Sequence, residues 1–176
     1  GGYIMDLKSK IRVIPNFPKS GISFKDITTL LADGPAFKQA IKEMAYKLKD
    51  KRIDVIVGPE ARGFIIGAPL AYELGVGFVP IRKPGKLPYS SYKGKYHLEY
   101  GTDELEMHVD AIKPGQYVVI VDDLLATGGT ISTTVDLVQK SGGQVSAIAF
   151  LIELYELGGR NNLQEYDIIS LIDYPF

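Results

Sequence analysis

The residues best suited to chemistry lie between Val118 and Thr130. An apolar, β-branched run, Val118 to Val121, leads into two adjacent carboxylates, Asp122 and Asp123. Leu124, Leu125, Ala126, Thr127, Gly128, Gly129 and Thr130 follow. The second half reads as an anion cradle. Glycines let backbone N–H groups converge, a helix N-terminus adds positive partial charge, and Thr127 and Thr130 offer hydroxyl donors. The run contains no lysine, so it is not the nucleotide-triphosphate loop, which needs Gly-Lys-Ser/Thr. Gly85 and Lys86 are followed by Leu87 and fail the same test. Gly75-Val76-Gly77 lacks the third glycine of a dinucleotide fingerprint. The carboxylates alone would repel a phosphate. They make sense as acceptors for ribose hydroxyls, or facing a divalent cation or a transient positive charge. Phosphate, vicinal hydroxyls and a developing cation together describe an activated ribose phosphate. Either half taken singly also fits an ordinary loop: a polar strand end, or a Gly-Gly turn.

Such a cradle needs a strand before it and a helix after it, and the chain supplies that alternation. Asp54–Val57 reads as a buried strand ending in Gly58-Pro59, Gly63–Leu74 as a helix and Gly77–Ile81 as a second strand. Val118–Val121 is a third strand. A helix from about Thr130 to Lys140 ends at Gly142-Gly143, and strands follow at Val145–Leu151 and around Ile168–Leu171. Gly34-Pro35 reads as a helix start with proline at the first helical position. Met5–Val13 suggests a short helix, and two prolines and a glycine break the chain between Pro15 and Gly21. Alternating strands and helices predict an α/β fold, a central, mostly parallel sheet flanked by helices, with ligands at the carboxyl ends of the strands. Residues 82–106 are polar, with no sustained apolar period, and a stretch this long is expected to be functional or mobile.

Composition narrows the class. The 176 residues carry a formal net charge of −1, so no global basic field exists to hold nucleic acid or an anionic membrane. Cysteines are absent, excluding disulfides and thiolate metal sites, and the two histidines, His97 and His108, are poorly placed for zinc. No apolar run approaches the roughly eighteen residues of a membrane span. No secretory signal is evident, and the cytoplasm is the expected compartment. Residues 1–4 precede Met5 and are expected to lie outside the fold. Residues 5–176 are expected to form one domain.

The run Val118–Thr130 resembles the phosphoribosyl pyrophosphate (PRPP) signature of the type I phosphoribosyltransferases. Three further stretches resemble the adenine-specific branch of that family. Phe17–Ile27 is similar to its N-terminal hood, about residues 5–34. The resemblance implies that Phe24 stacks on adenine while backbone groups of Ser23 and Lys25 read its edge. Gly58–Phe64 resembles the pyrophosphate loop, implying roles for Glu60, Ala61 and Arg62 and a cis peptide at Glu60-Ala61. Val79–Pro88, with the stretch ending at Gly101, resembles a flexible catalytic lid, about residues 82–105. Arg82 and Lys83 match its anion-binding residues, Glu99 the acid that handles the N9 proton, and Tyr100 its neighbour. Lys25 stands where arginine is common, and Glu60-Ala61 where Asp-Ser is also seen; lysine cannot make arginine's planar two-point contact.

The resemblance implies purine salvage: the phosphoribosyl group of PRPP passes to N9 of adenine, giving AMP and pyrophosphate. Mg²⁺ is expected to arrive on PRPP, without direct protein ligands, and the chain to form a homodimer. A 6-oxopurine enzyme of the same fold is an alternative, but residues 145–159 lack the late lysine such enzymes use. A non-catalytic PRPP or purine sensor would need a DNA-binding module, for which the segment before Phe17 is too short. An unrelated α/β phosphate-binding protein would leave Asp122-Asp123 and the lid unexplained.

Overall fold

A computed structural model describes residues 4–98 and 101–176, and for Leu98 the backbone only. The expected short helix at Met5–Val13 is instead a 3₁₀ turn at Leu7–Lys10, and Arg12–Ile14 forms strand β1. The Asp6 side chain accepts from Lys8 N–H and caps that turn. Two residues after the turn, β1 begins and pairs antiparallel with β2, Phe24–Asp26, which ends the helical geometry. The strands make a small two-stranded sheet within the segment expected to be the hood. A short helix α1, Thr28–Leu31, leads to α2, Gly34–Lys47, whose Asp33 cap accepts from Ala36 N–H.

The body alternates as expected. Strand β3, Val55–Pro59, runs into α3, Arg62–Leu74, and then β4, Gly77–Ile81. An antiparallel hairpin follows, β5 at Ser91–Leu98 and β6 at Gly101–His108. Then come β7, Tyr117–Leu125, α4, Gly129–Lys140, β8, Gln144–Leu154, and β9, Ile168–Tyr174. Among the described residues, five strands form one parallel sheet in the order β4-β3-β7-β8-β9.

Both faces of this sheet are covered. Val119 and Val121 join Ile41, Met44, Ile66 and Leu70 beneath α2 and α3. Their neighbours Val118 and Ile120 join Ile131, Val135 and Val138 of α4 on the other face. The alternation of strand side chains thus divides one β-branched run between two cores. Leu105 and Met107 of β6 are buried in the second core, so the far end of the polar stretch is anchored. Strand β7 also runs past its expected end at Val121. Asp122, Leu124 and Leu125 continue the ladder, opposite Phe150, Ile152 and Glu153. No helix among the described residues is long and apolar enough to cross a membrane.

Candidate active site

The paired acids sit on the carboxyl end of the central strand, where neighbouring chains converge. Asp123 N–H donates to Asp122 Oδ1 at 2.8 Å, a bond between consecutive residues. Asp122 Oδ1 lies against the start of α3; a Cβ added to Gly63 would stand 3.2 Å from it. Burial, followed by the charge of Asp123 and a hydrogen bond to it, pushes the Asp122 carboxyl well above the usual carboxylate range. Asp123 is buried and accepts from Arg62 Nε at 2.6 Å. That carboxylate raises the pKa of the Arg62 guanidinium.

After β7 the chain turns through Ala126 and Thr127 into Gly128, whose φ of 89° favours glycine, and then into α4. The first amides of α4 have no acceptor within the helix. They open onto a cavity of about 170 Å³ lined by Asp122, Ala126, Thr127, Gly128, Gly129 and Thr130. Tyr96 and His97 of β5 also line it, with Leu124, Leu125 and Ile131; sequence reasoning missed the two β5 residues. The hairpin reaches the cavity because Gly94 lies flat on α4: a Cβ there would come within 2.7 Å of Thr133 Cγ2. A glycine in a tyrosine- and lysine-rich strand is the signal that could have disclosed this approach.

The second loop follows β3. The Glu60-Ala61 peptide is cis, as the resemblance implied, and Ala61 stands just before α3 without a side-chain capping bond. Glu60 Oε1 accepts from Arg82 Nε at 3.1 Å and from Lys83 N–H at 2.8 Å. Lys83 Nζ is paired with Asp103 and donates to Tyr96 Oη at 3.0 Å. These hydrogen bonds, Asp103 first, hold the Lys83 ammonium above its ordinary pKa. The three cations expected to meet a diphosphate therefore each have a carboxylate partner: Arg62 with Asp123, Arg82 with Glu60, Lys83 with Asp103. Glu99 and Tyr100, expected in catalysis, lie outside the described residues.

Ser23, Phe24 and Lys25, expected to hold the base, do not line the cavity at the start of α4. Phe24 packs edge-on against Phe17, with centroids 5.2 Å apart. Lys25 Nζ donates to Ser23 Oγ at 2.6 Å and lies 4.8 Å from the Tyr174 ring centroid. Burial, with the charge of Lys8, lowers its pKa. Tyr174 ends β9 opposite Leu154, so this contact fastens the hood to the carboxyl edge of the sheet that bears Asp122 and Asp123. Asp26 secures the other side of β2, accepting from Thr28 Oγ1 at 2.6 Å, Thr28 N–H at 2.9 Å and Arg12 Nη2 at 2.6 Å.

Among the described residues, no cluster of three or more His, Asp or Glu side chains is arranged to hold a metal. The acid pair supplies hard oxygen acceptors, the chemistry that suits Mg²⁺ or its bound water.

Comparison with known proteins identifies the family. The phosphoribosyl transferase domain family matches residues 28–172. The adenine phosphoribosyltransferase of Clostridium tetani is 62% identical over 170 residues, covering 97% of this chain and 99% of its own. The crystal structure of adenine phosphoribosyltransferase from Thermoanaerobacter pseudethanolicus superposes with a TM-score of 0.93 at 58% identity, covering 96% of this chain and 98% of that one. The Saccharomyces cerevisiae enzyme, complexed with an imino-altritol bisphosphate and adenine, gives a TM-score of 0.89 at 38% identity, covering 94% and 96%.

Proposed function

The chain belongs to the adenine phosphoribosyltransferase family, and from that premise we propose which of its residues carry each part of the reaction. The reaction itself is purine salvage: PRPP and adenine give AMP and pyrophosphate. One observation carries the assignment of parts. The acid pair on β7 runs without interruption into an amide-lined cavity at the start of α4.

Residues Ala126, Thr127, Gly128, Gly129 and Thr130 take the 5′-phosphate of PRPP on their amides and hydroxyls. Asp122 and Asp123 hold the ribose diol. The diphosphate enters between the backbone of Glu60-Ala61 and the side chains of Arg62, Arg82 and Lys83, which turn from their carboxylate partners to meet it. Adenine lies on Phe24, with backbone groups of Ser23 and Lys25 at its edge. Mg²⁺, carried on the diphosphate, would supply neutralisation of its charge. The bond from C1′ to the diphosphate oxygen breaks, and its electron pair leaves on pyrophosphate. The N9 lone pair forms the new bond from the opposite face, inverting C1′. Cationic character at C1′ is favoured by the nearby carboxylates. Glu99 receives or steers the N9 proton, with Tyr100 beside it. The lid, about residues 82–105, closes over this centre and keeps water from the activated sugar. The hood, about residues 5–34, bounds the base.

A homodimer fits the outer surface. Tyr46 on α2 and Tyr72 on the adjacent α3 are 66% and 89% exposed, and Ile65 on α3 is 40% exposed. A second copy would cover them, and sedimentation at micromolar concentration tests this. The proposed compartment is the cytoplasm, tested by cell fractionation.

The defining experiment mixes the purified protein with Mg-PRPP and radiolabelled adenine, and competes adenine with hypoxanthine and guanine. AMP formation resistant to both competitors is expected. Tight PRPP binding without AMP formation would instead mark a sensor.

A further inference from the structure

Behind the proposed phosphate cradle lies an ion pair that the reaction scheme does not use. Glu153, near the end of β8, is only 5% exposed. Arg160, seven residues later, grips its carboxylate with two donors, Nε to Oε2 at 2.6 Å and Nη2 to Oε1 at 2.8 Å. Ser170 Oγ of β9 donates to Oε1 at 3.1 Å. Arg160, ahead of burial, determines the outcome for Glu153: its carboxyl stays below the ordinary range.

The segment closed by this pair touches the cradle. Gly158 turns at a φ of 71°, and buried Gly159 lies directly against the loop after β7. A Cβ on Gly159 would stand 2.6 Å from the Ala126 carbonyl oxygen and 2.6 Å from Leu125 Cδ1. A Cβ on Gly128 would stand 2.9 Å from the Gly159 carbonyl oxygen. Two backbones therefore meet with no side chain between them, and the position of one limits the other. Glu153 also sits opposite Leu125 in the sheet, so one carboxylate is tied to both ends of the contact.

We propose that Glu153 and Arg160 are positioning residues for sugar-phosphate binding: their two-point pair holds Gly159 against Ala126 and Gly128 and so sets the amides that meet the 5′-phosphate. Neither side chain needs to reach the substrate. The inference rests on residues 126–130 being the phosphate site.

The test compares Arg160→Gln, Arg160→Lys and Gly159→Ala with the parent and with Thr130→Ala. The measurements are KM for PRPP, KM for adenine at saturating PRPP, kcat, and the affinity for ribose 5-phosphate by calorimetry. A displacement of the amides by a fraction of an ångström should raise KM for PRPP and weaken ribose 5-phosphate by about tenfold. Adenine KM should stay within about twofold, and Arg160→Lys, which keeps charge but loses the fork, should fall between parent and Arg160→Gln. Gly159→Ala displaces the same backbone without breaking the ion pair, so the comparison survives if Arg160→Gln misfolds. Parent-like ribose 5-phosphate affinity in folded Gly159→Ala and Arg160→Lys would overturn the proposal, as would equal losses for adenine and PRPP. If Thr130→Ala also leaves ribose 5-phosphate binding intact, the phosphate site itself has been misassigned, which separates the two failures.

Discussion

Arg62 Nε and Asp123 Oδ2 are 2.6 Å apart, joining the start of α3 to the end of strand β7 across 61 residues of chain. The pair links the residue proposed for the leaving diphosphate to one proposed for the ribose diol. It also keeps the buried Asp123 carboxylate compensated before substrate arrives. Removing the arginine should therefore do two things: delete a diphosphate contact and leave an acid unpaired where an anion must enter. Arg62→Ala is expected to lower kcat/KM for PRPP by about 10²–10³-fold, and Arg62→Lys to recover only part of that, because lysine has no planar fork. Steady-state kinetics with varied PRPP checks this; equal activity of the lysine and arginine forms would show that charge alone suffices.

Asp122 offers a prediction of opposite sign for stability and activity. Its carboxyl is held well above the ordinary range by burial and then by Asp123. A raised carboxyl pKa means the fold prefers the protonated form. The stability it contributes is complete below the unfolded value near 3.8 and is lost as pH rises through the elevated folded value. At neutral pH, Asp122→Asn should therefore melt higher than the parent, while PRPP affinity falls because an amide cannot ionise when the diol binds and offers one oxygen in place of two. Each kcal/mol gained reads as about 2–4 °C in a chain of this size. Melting curves from pH 4 to 8 should show the gap widening with pH; a constant gap would show that Asp122 ionises freely.

Much of this was legible before any coordinates. The β-branched runs at Val55–Val57 and Val118–Val121 named the central strands, because burial on both faces leaves no place for polar residues. The loops were legible because glycine, threonine and paired acids have few other reasons to follow such a strand. The hairpin was not. Tyr92, Lys93, Lys95 and Tyr96 show no clean alternation, since only one side of β5 meets α4 and the pairing to β6 is itself long-range information. The course of β7 past Val121 was hidden for a related reason. Asp122 and Asp123 look like a loop by composition, yet β8 continues the ladder beside them. Arg62 with Asp123 and Arg160 with Glu153 are tertiary pairs that no local pattern announces.

Glu99 lies outside the described residues, and its proposed role is chemical. If it takes the proton from N9, its loss must act on the step and spare the encounter with PRPP. Glu99→Leu should reduce kcat by at least about 10²-fold while the dissociation constant for PRPP stays within about twofold of the parent. Pre-steady-state turnover alongside calorimetric binding separates the two quantities. An unchanged kcat would remove Glu99 from the mechanism.

Asp26 connects the hood to acid stability. Hydrogen bonds from the Thr28 hydroxyl and amide, then from Arg12, hold its pKa at about 2, below the ordinary 3.8. A lowered carboxyl pKa has the reverse linkage of Asp122. Its contribution is present above pH 3.8 and disappears as pH falls through about 2. Asp26→Asn keeps an oxygen for Thr28 but loses the charge that Arg12 meets, so it should melt lower than the parent at pH 6 and approach it as the pH is taken down towards 2. The same change should loosen β2, which carries Phe24 two residues before Asp26. Adenine KM is therefore expected to rise several-fold, with PRPP KM unchanged, since the proposed phosphate cradle lies between β7 and α4. Parallel rises in both constants would mean that Asp26 supports the whole domain and not the hood alone.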